Sequence, residues 1–246
     1  MDKKIRAYLK DTWFNYKISM RLPDPYTYLY GNPIKVHVPL DVATGGLMIV
    51  GAYPTAHFNT LKGPDDKLIT KVPVEDHLYP FSNEMYFDGS GIDRVKSGQE
   101  IEEYFLKQLD ISRKKCWITD LVKVFLFKQG HIDRYNKLGY TNFKANRDEF
   151  LDLAKRSMSY LFQEIELANP KVVIGLGAEV NAVIHDKSVK EATKLISKNP
   201  ILKIINGNTI LFFACPHPGI LMRNDERSAK WRAVLKETLI EVKQYL

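Results

Sequence analysis

The chain lacks most of what would staple or anchor a protein. Only two of its 246 residues, Cys116 and Cys215, are cysteine. That excludes a disulfide framework and any zinc or iron–sulfur site built on four thiolates. Apolar runs such as residues 209–215 are far too short to span a bilayer, and the first six residues, MDKKIR, have no apolar signal core behind them. No repeat or low-complexity tract recurs, which excludes a solenoid. Acidic groups are the scarcer charge, with 29 Asp and Glu against 36 Lys and Arg and a net charge of +7. This excess suits a polyanionic partner. The expectation is a soluble, cytoplasmic protein without a membrane partner, and a monomer.

What is present reads as an α/β chain. Residues 3–17 carry Ile5, Tyr8, Leu9, Trp13 and Phe14 at helical spacing. A Pro- and Tyr-rich connection follows, then a short strand over residues 33–39. Four apolar runs, Leu47–Gly51, Cys116–Asp120, Val172–Leu176 and residues 209–213, end at small, polar or Pro/Gly residues as buried strands do. Helical patterns lie between and after them at residues 99–109, 146–168, 179–184 and 227–245. Short buried strands alternating with helices predict a three-layer α/β/α domain around a four-stranded, mainly parallel sheet. We expect this domain over residues 41–246, preceded by an N-terminal helical extension over residues 1–40. Ligands of such folds bind at the carboxyl ends of the strands, so the loops opening at Ala52, Leu121, Gly177 and Cys215 matter most. Residues 55–98 and 125–141 read as long irregular stretches, and loops of that length are usually functional or disordered.

Three segments in or near those loops could carry chemistry. In Gly51-Ala52-Tyr53-Pro54-Thr55-Ala56-His57, Gly51 permits a sharp turn and Pro54 stiffens the loop against a flat ligand; an ordinary strand exit looks the same. In Cys215-Pro216-His217-Pro218-Gly219-Ile220-Leu221-Met222-Arg223, a histidine between two prolines can offer a fixed hydrogen bond, or stand as a structural residue in a tight turn. Arg223 could touch phosphate or open a solvated helix face. Asp88-Gly89-Ser90-Gly91, behind Met85-Tyr86-Phe87, places an acid in a flexible loop, although Asp-Gly is also a common plain turn. The Gly175-Leu176-Gly177-Ala178 turn lacks the third glycine of a dinucleotide fingerprint and the Lys-Ser/Thr of a P-loop. Lys114, Lys115, Lys123, Lys128 and Arg134 interleave with Trp117, Phe125 and Phe127, a pattern that fits a nucleic-acid surface as well as ordinary solvated faces.

Taken together and in order, these segments resemble the uracil-DNA glycosylase superfamily from about Val42 to Lys230. VGAYPTAH is similar to the first motif, whose turn meets the extruded base, and CWITDLVKV to the strand and loop that contact the base edge. NPKVVIGLGAEV resembles the structural strand–helix segment and CPHPGILMR the second catalytic motif. Ala56-His57 and the Asp-Gly-Ser-Gly stretch look closest to the branch without a polar residue in its first motif. In that branch a downstream aspartate is the proposed catalytic group, and Asp88 matches it. The chain departs from the family at several positions. Val124 and Ser157 stand where members of the thermophile type carry cluster cysteines, Gly219 replaces a common serine, and Asp120 stands where several branches read uracil with Asn.

The resemblance implies a DNA glycosylase that hydrolyses the N-glycosidic bond of uracil or another deaminated base flipped out of DNA, as in base-excision repair, without a metal or organic cofactor. It implies Asp88 and His217 as catalytic groups, with Gly51, Ala52, Tyr53, Pro54, His57, Phe87 (or Phe81) and Asp120 around the base, and Lys123 and Arg223 on DNA. Two other readings stay open: a non-catalytic nucleic-acid or nucleotide-binding protein on the same fold, and a hydrolase of free nucleosides.

Overall fold

A computed structural model describes residues 2–205 and 207–246. Helix α1 (Lys3–Ser19) starts at Asp2, whose carboxylate accepts from the Lys4 amide. After irregular chain come β1 (Leu47–Gly51), an antiparallel pair β2 (Ala56–Lys62) and β3 (Leu68–Asp76), and a second, shorter pair β4 (Met85–Phe87) and β5 (Ile92–Arg94). Helix α2 (Lys96–Ile101) runs through a π-helical turn, Glu102–Leu106, into α3 (Lys107–Leu109). Then follow β6 (Cys116–Asp120), α4 (Gln129–Lys137), α5 (Phe150–Ala168), β7 (Val172–Leu176), α6 (Ala178–Ile184), α7 (Val189–Leu195), β8 (Ile201–Ile205), β9 (Asn208–Cys215), α8 (Pro218–Leu221) and α9 (Glu226–Lys243).

The central sheet has the order β6-β1-β7-β9-β8, and β6, β1, β7 and β9 run parallel. Side chains alternate between its two faces, as the period of a strand requires, so each face seals its own core. Met48, Val50, Val173 and Phe212 pack toward α1, α5 and α6, while Leu47, Ile49, Ile174 and Phe213 pack toward α2, α3 and α9. No described helix is long and apolar enough to cross a membrane.

The structure adds to and corrects the sequence expectations in four places. The sheet has a fifth strand, β8, antiparallel to β9. It was hidden because only two residues separate it from β9, too few for a helix, and because its edge position leaves Leu202 and Ile204 exposed. Residues 33–39, expected as a strand, form none; only Pro33 makes an isolated bridge, to Thr27. The two stretches read as irregular hold both antiparallel pairs and α4. Finally, the buried stripe of α1 is Ile5, Tyr8, Thr12 and Tyr16, with Trp13 and Phe14 left exposed.

That stripe ties α1 to the loop behind β6. The Tyr8 hydroxyl donates to Glu164 (2.9 Å), the Lys123 amide donates to the Tyr16 hydroxyl (3.0 Å), and Ser157 links Tyr16 to the Leu121 carbonyl. Ser157 and Val124, at the positions of cluster cysteines in the resemblance, are buried, and neither offers a thiolate. Cys116 and Cys215 are buried within β6 and β9. The residues present therefore do not fit a four-thiolate cluster.

Candidate active site

A cavity of about 420 Å³ opens at the carboxyl ends of β1, β6, β7 and β9, where this topology leads one to look. Its floor follows from strand register. Gly51 and Asp120 are paired at the ends of β1 and β6, and the chains continue side by side, with Leu121 and Val122 amides donating to Gly51 and Ala52 carbonyls. Gly51 is required for space. A Cβ there would stand 2.3 Å from Asp120 Oδ1 and 2.4 Å from the Phe81 ring. Its φ is not positive, so the sharp turn expected of it is not its role.

Asp120 is 1% exposed, and among the described residues its Oδ1 has no hydrogen-bond partner. Burial pushes its pKa up to about 7; Lys123 opposes the shift and Glu164 adds to it. Tyr53 and Pro54 continue the floor. The Tyr53 hydroxyl accepts from Arg147 Nε (2.8 Å), and the guanidinium lies over both the Tyr53 and Phe150 rings while pairing with Glu179.

His217 caps α8. Its Nδ1 accepts from the Gly219 amide (3.1 Å). The ring borders the cavity, yet the protein around it desolvates the imidazole and lowers its pKa below the ordinary histidine value. In the neutral ring the proton therefore sits on Nε2, a donor left free for a ligand.

The opposite wall comes from the crossover between β1 and β6, and sequence reasoning missed most of it. His77, Phe81, Lys96, Ser97 and Glu100 line the cavity there. Phe81, the second choice behind Phe87, is held by Arg113. That guanidinium donates to the Pro80 and Phe81 carbonyls (2.7 and 2.8 Å) and to Asp41 (2.6 Å). Glu100 is buried in α2, and desolvation raises its carboxyl to about 7 against the opposing pull of Lys96. No motif announces Arg113, Arg147 or Glu100. Each stands among other polar and charged residues, so the local sequence gives no signal for it.

Other expected residues lie elsewhere. Asp88 does not border this cavity. It borders a neighbouring one of about 620 Å³, and its Oδ1 accepts from the Ser90 amide and hydroxyl and the Gly91 amide. Those bonds hold its pKa below the usual carboxylate value and describe a plain turn. Phe87 is 63% exposed and borders neither cavity. His57 pairs with Glu84 (2.6 Å) and stacks on Tyr86 behind the cavity wall. Arg223 is exposed beyond α8.

Lys123 requires a correction. It was expected on DNA, but it is fully buried. Its ammonium donates to Thr119 Oγ1, the Asp120 carbonyl and Glu164 at 2.6 to 2.7 Å. All three protons are used inside the fold, so no phosphate can reach it. The aromatics interleaved with that basic stretch, Trp117, Phe125 and Phe127, are buried too. Lys114 and Lys115 border a groove at the opposite end of β6. Of the basic set only Lys128 lines the cavity, joined at its exposed mouth by Lys96. Among the described residues neither makes a salt bridge.

The family model described as the Uracil DNA glycosylase superfamily matches residues 42–239, about four fifths of the chain. A search of the curated proteins finds no match.

Proposed function

This chain belongs to the uracil DNA glycosylase superfamily, and on that premise we propose that it hydrolyses the N-glycosidic bond of uracil or another deaminated base flipped out of DNA. The observation that carries the reading is His217, a neutral imidazole with Nδ1 satisfied by the Gly219 amide and Nε2–H left for the cavity. Breaking the C–N bond leaves negative charge on the base. A fixed donor at that charge is worth most in the transition state, because it costs no reorganisation when the charge appears.

The remaining geometry supports the same chemistry. An extruded base needs an aromatic face, and Phe81 supplies one across Gly51 from Asp120. Extrusion costs a few kcal/mol of unstacking, recovered in part by such a contact. Below its raised pKa Asp120 is protonated. It then offers an O–H donor and a carbonyl acceptor, the same pair an Asn side chain offers to the O4 and N3–H of uracil. Lys96 and Lys128 at the mouth suit the flanking phosphates.

The test is incubation with oligonucleotides carrying uracil, hypoxanthine or xanthine, followed by alkali. Strand scission at one of these bases is the expected result. Salt-sensitive DNA binding without scission would instead favour the non-catalytic reading, and release of bases from free nucleosides alone would favour the nucleoside hydrolase.

A further inference from the structure

We propose that Glu100, not Asp88, is the carboxylate that activates the attacking water in this protein. The inference rests on the glycosylase reading above and follows from where the two acids lie. Asp88 has a committed turn outside the cavity. Glu100 is a cavity-lining carboxylate, buried, with no hydrogen bond to any described residue. Glu100 also lies near the His217 ring. The point where a Gly219 Cβ would stand is 3.3 Å from His217 Nδ1 and 3.9 Å from Glu100 Oε1. Both groups therefore border the space over Gly219, where a Cβ would already press on the imidazole.

The step balances without any added reagent. Water attacks C1′ of the deoxyribose, and the C1′–N bond breaks with its electron pair passing to the base, whose charge His217 Nε2–H receives. The proton lost by water goes to the Glu100 carboxylate, and the base takes up a proton on release. Ionised Glu100 also offers negative charge to the cationic sugar. A general base works best with a pKa near the working pH, and burial holds this carboxyl at about 7. Lys96 is the facing charge on its own helix. His217 stands before α8, which packs on α2, and His77, Asp120, Glu179, Arg147, Lys128 and His131 line the same cavity.

Single-turnover abasic-site formation by wild type, Glu100→Gln, Asp88→Asn and Lys96→Gln, measured from pH 5 to 9, tests the assignment. The wild-type rate should climb about tenfold per pH unit below pH 7, as for ionisation of one general base. Glu100→Gln should lose roughly 10²- to 10⁴-fold together with that ascending limb, while binding abasic DNA as wild type does. Asp88→Asn should keep both rate and limb. Lys96→Gln should move the limb to higher pH by removing the cation that opposes the shift, and this remains readable if Glu100→Gln fails to fold. An active wild type whose rate and limb survive in Glu100→Gln, or whose limb is unmoved in Lys96→Gln, overturns the role of Glu100 alone. A wild type that excises none of the three bases overturns the glycosylase reading and this assignment with it.

Discussion

The two walls of the cavity are built on different principles. The strand-end wall, with Gly51 to Pro54, Asp120 and His217, sits on neighbouring parallel strands whose register places its residues at one level. The crossover wall lies between β1 and β6, with Lys96, Ser97 and Glu100 on α2 and with His77 and Phe81 on irregular chain, where Arg113 holds the Pro80 and Phe81 carbonyls. The first wall is positioned by the sheet. The Phe81 part of the second is positioned by charge-assisted hydrogen bonds. Substitutions in support of the first should therefore act on stability, and those within the second on chemistry.

The largest effect is expected behind the strand-end wall. Lys123→Met leaves Glu164 buried without its cation, and loss of one partner of a buried pair costs about 3–5 kcal/mol. Urea denaturation should show that loss, and adding Glu164→Leu should restore much of it. The salt dependence of DNA binding should not move, because Lys123 is not on the surface. A lowered salt slope with unchanged stability would return Lys123 to the interface.

Next in size is His217→Ala. Removal of one preorganised donor lowers the rate by about 10²–10³, and the single-turnover rate should fall by that much with the melting temperature nearly unchanged. A normal rate would make His217 a helix cap and nothing more.

The same contrast explains what could be read from the sequence. The strand-end wall was legible because buried strands announce themselves as short apolar runs, and the topology says which ends matter. Gly51, Tyr53, Pro54 and His217 were found this way, and Asp120 through the family resemblance. Phe81, Arg113 and Arg147 were hard to read because each acquires its position from a partner distant in sequence, and Glu100 because nothing in its helix marks it as facing a cavity. Arg113 reaches back to Asp41, and Arg147 reaches Tyr53 in one direction and Glu179 in the other. Lys123 was misread for a related reason. A lysine in a basic stretch looks solvated unless one knows that Glu164, 41 residues on, lies beneath it.

A smaller effect, readable only against pH, is expected at Asp120. Its folded pKa of about 7 lies above the ordinary 3.8, so the folded protein keeps a proton that the unfolded chain releases. Stability should therefore fall as pH rises from about 4 to about 7 and level off above. Asp120→Asn should lessen that fall, leaving the part due to Glu100, which is raised in the same direction. On uracil the substitution should matter most above pH 7, where the wild-type side chain becomes acceptor-only. The mismatch is worth about 1–3 kcal/mol, so the mutant should gain roughly ten- to a hundredfold on uracil relative to wild type. Equal base preference at pH 6 and pH 9 in both proteins would remove Asp120 from base reading.

The smallest effect on chemistry is expected at Asp88. Its Oδ1 gathers three hydrogen bonds from Ser90 and Gly91, its carbonyl accepts from the Thr60 amide (2.6 Å), and Gly89, at φ +89°, passes so close to Thr60 that a Cβ would lie 2.5 Å from its carbonyl. These contacts join the β4–β5 turn to β2 and explain an acid at this point without any reference to substrate. Asp88→Ala should therefore loosen the turn, seen as faster amide exchange at Ser90 and Gly91 and a lower melting temperature, while the single-turnover rate stays close to wild type. The comparison of the two walls would break if that rate fell as far as in Glu100→Gln. The β4–β5 turn would then have to swing into the cavity when DNA binds, and the crossover wall would be assembled by substrate rather than by Arg113.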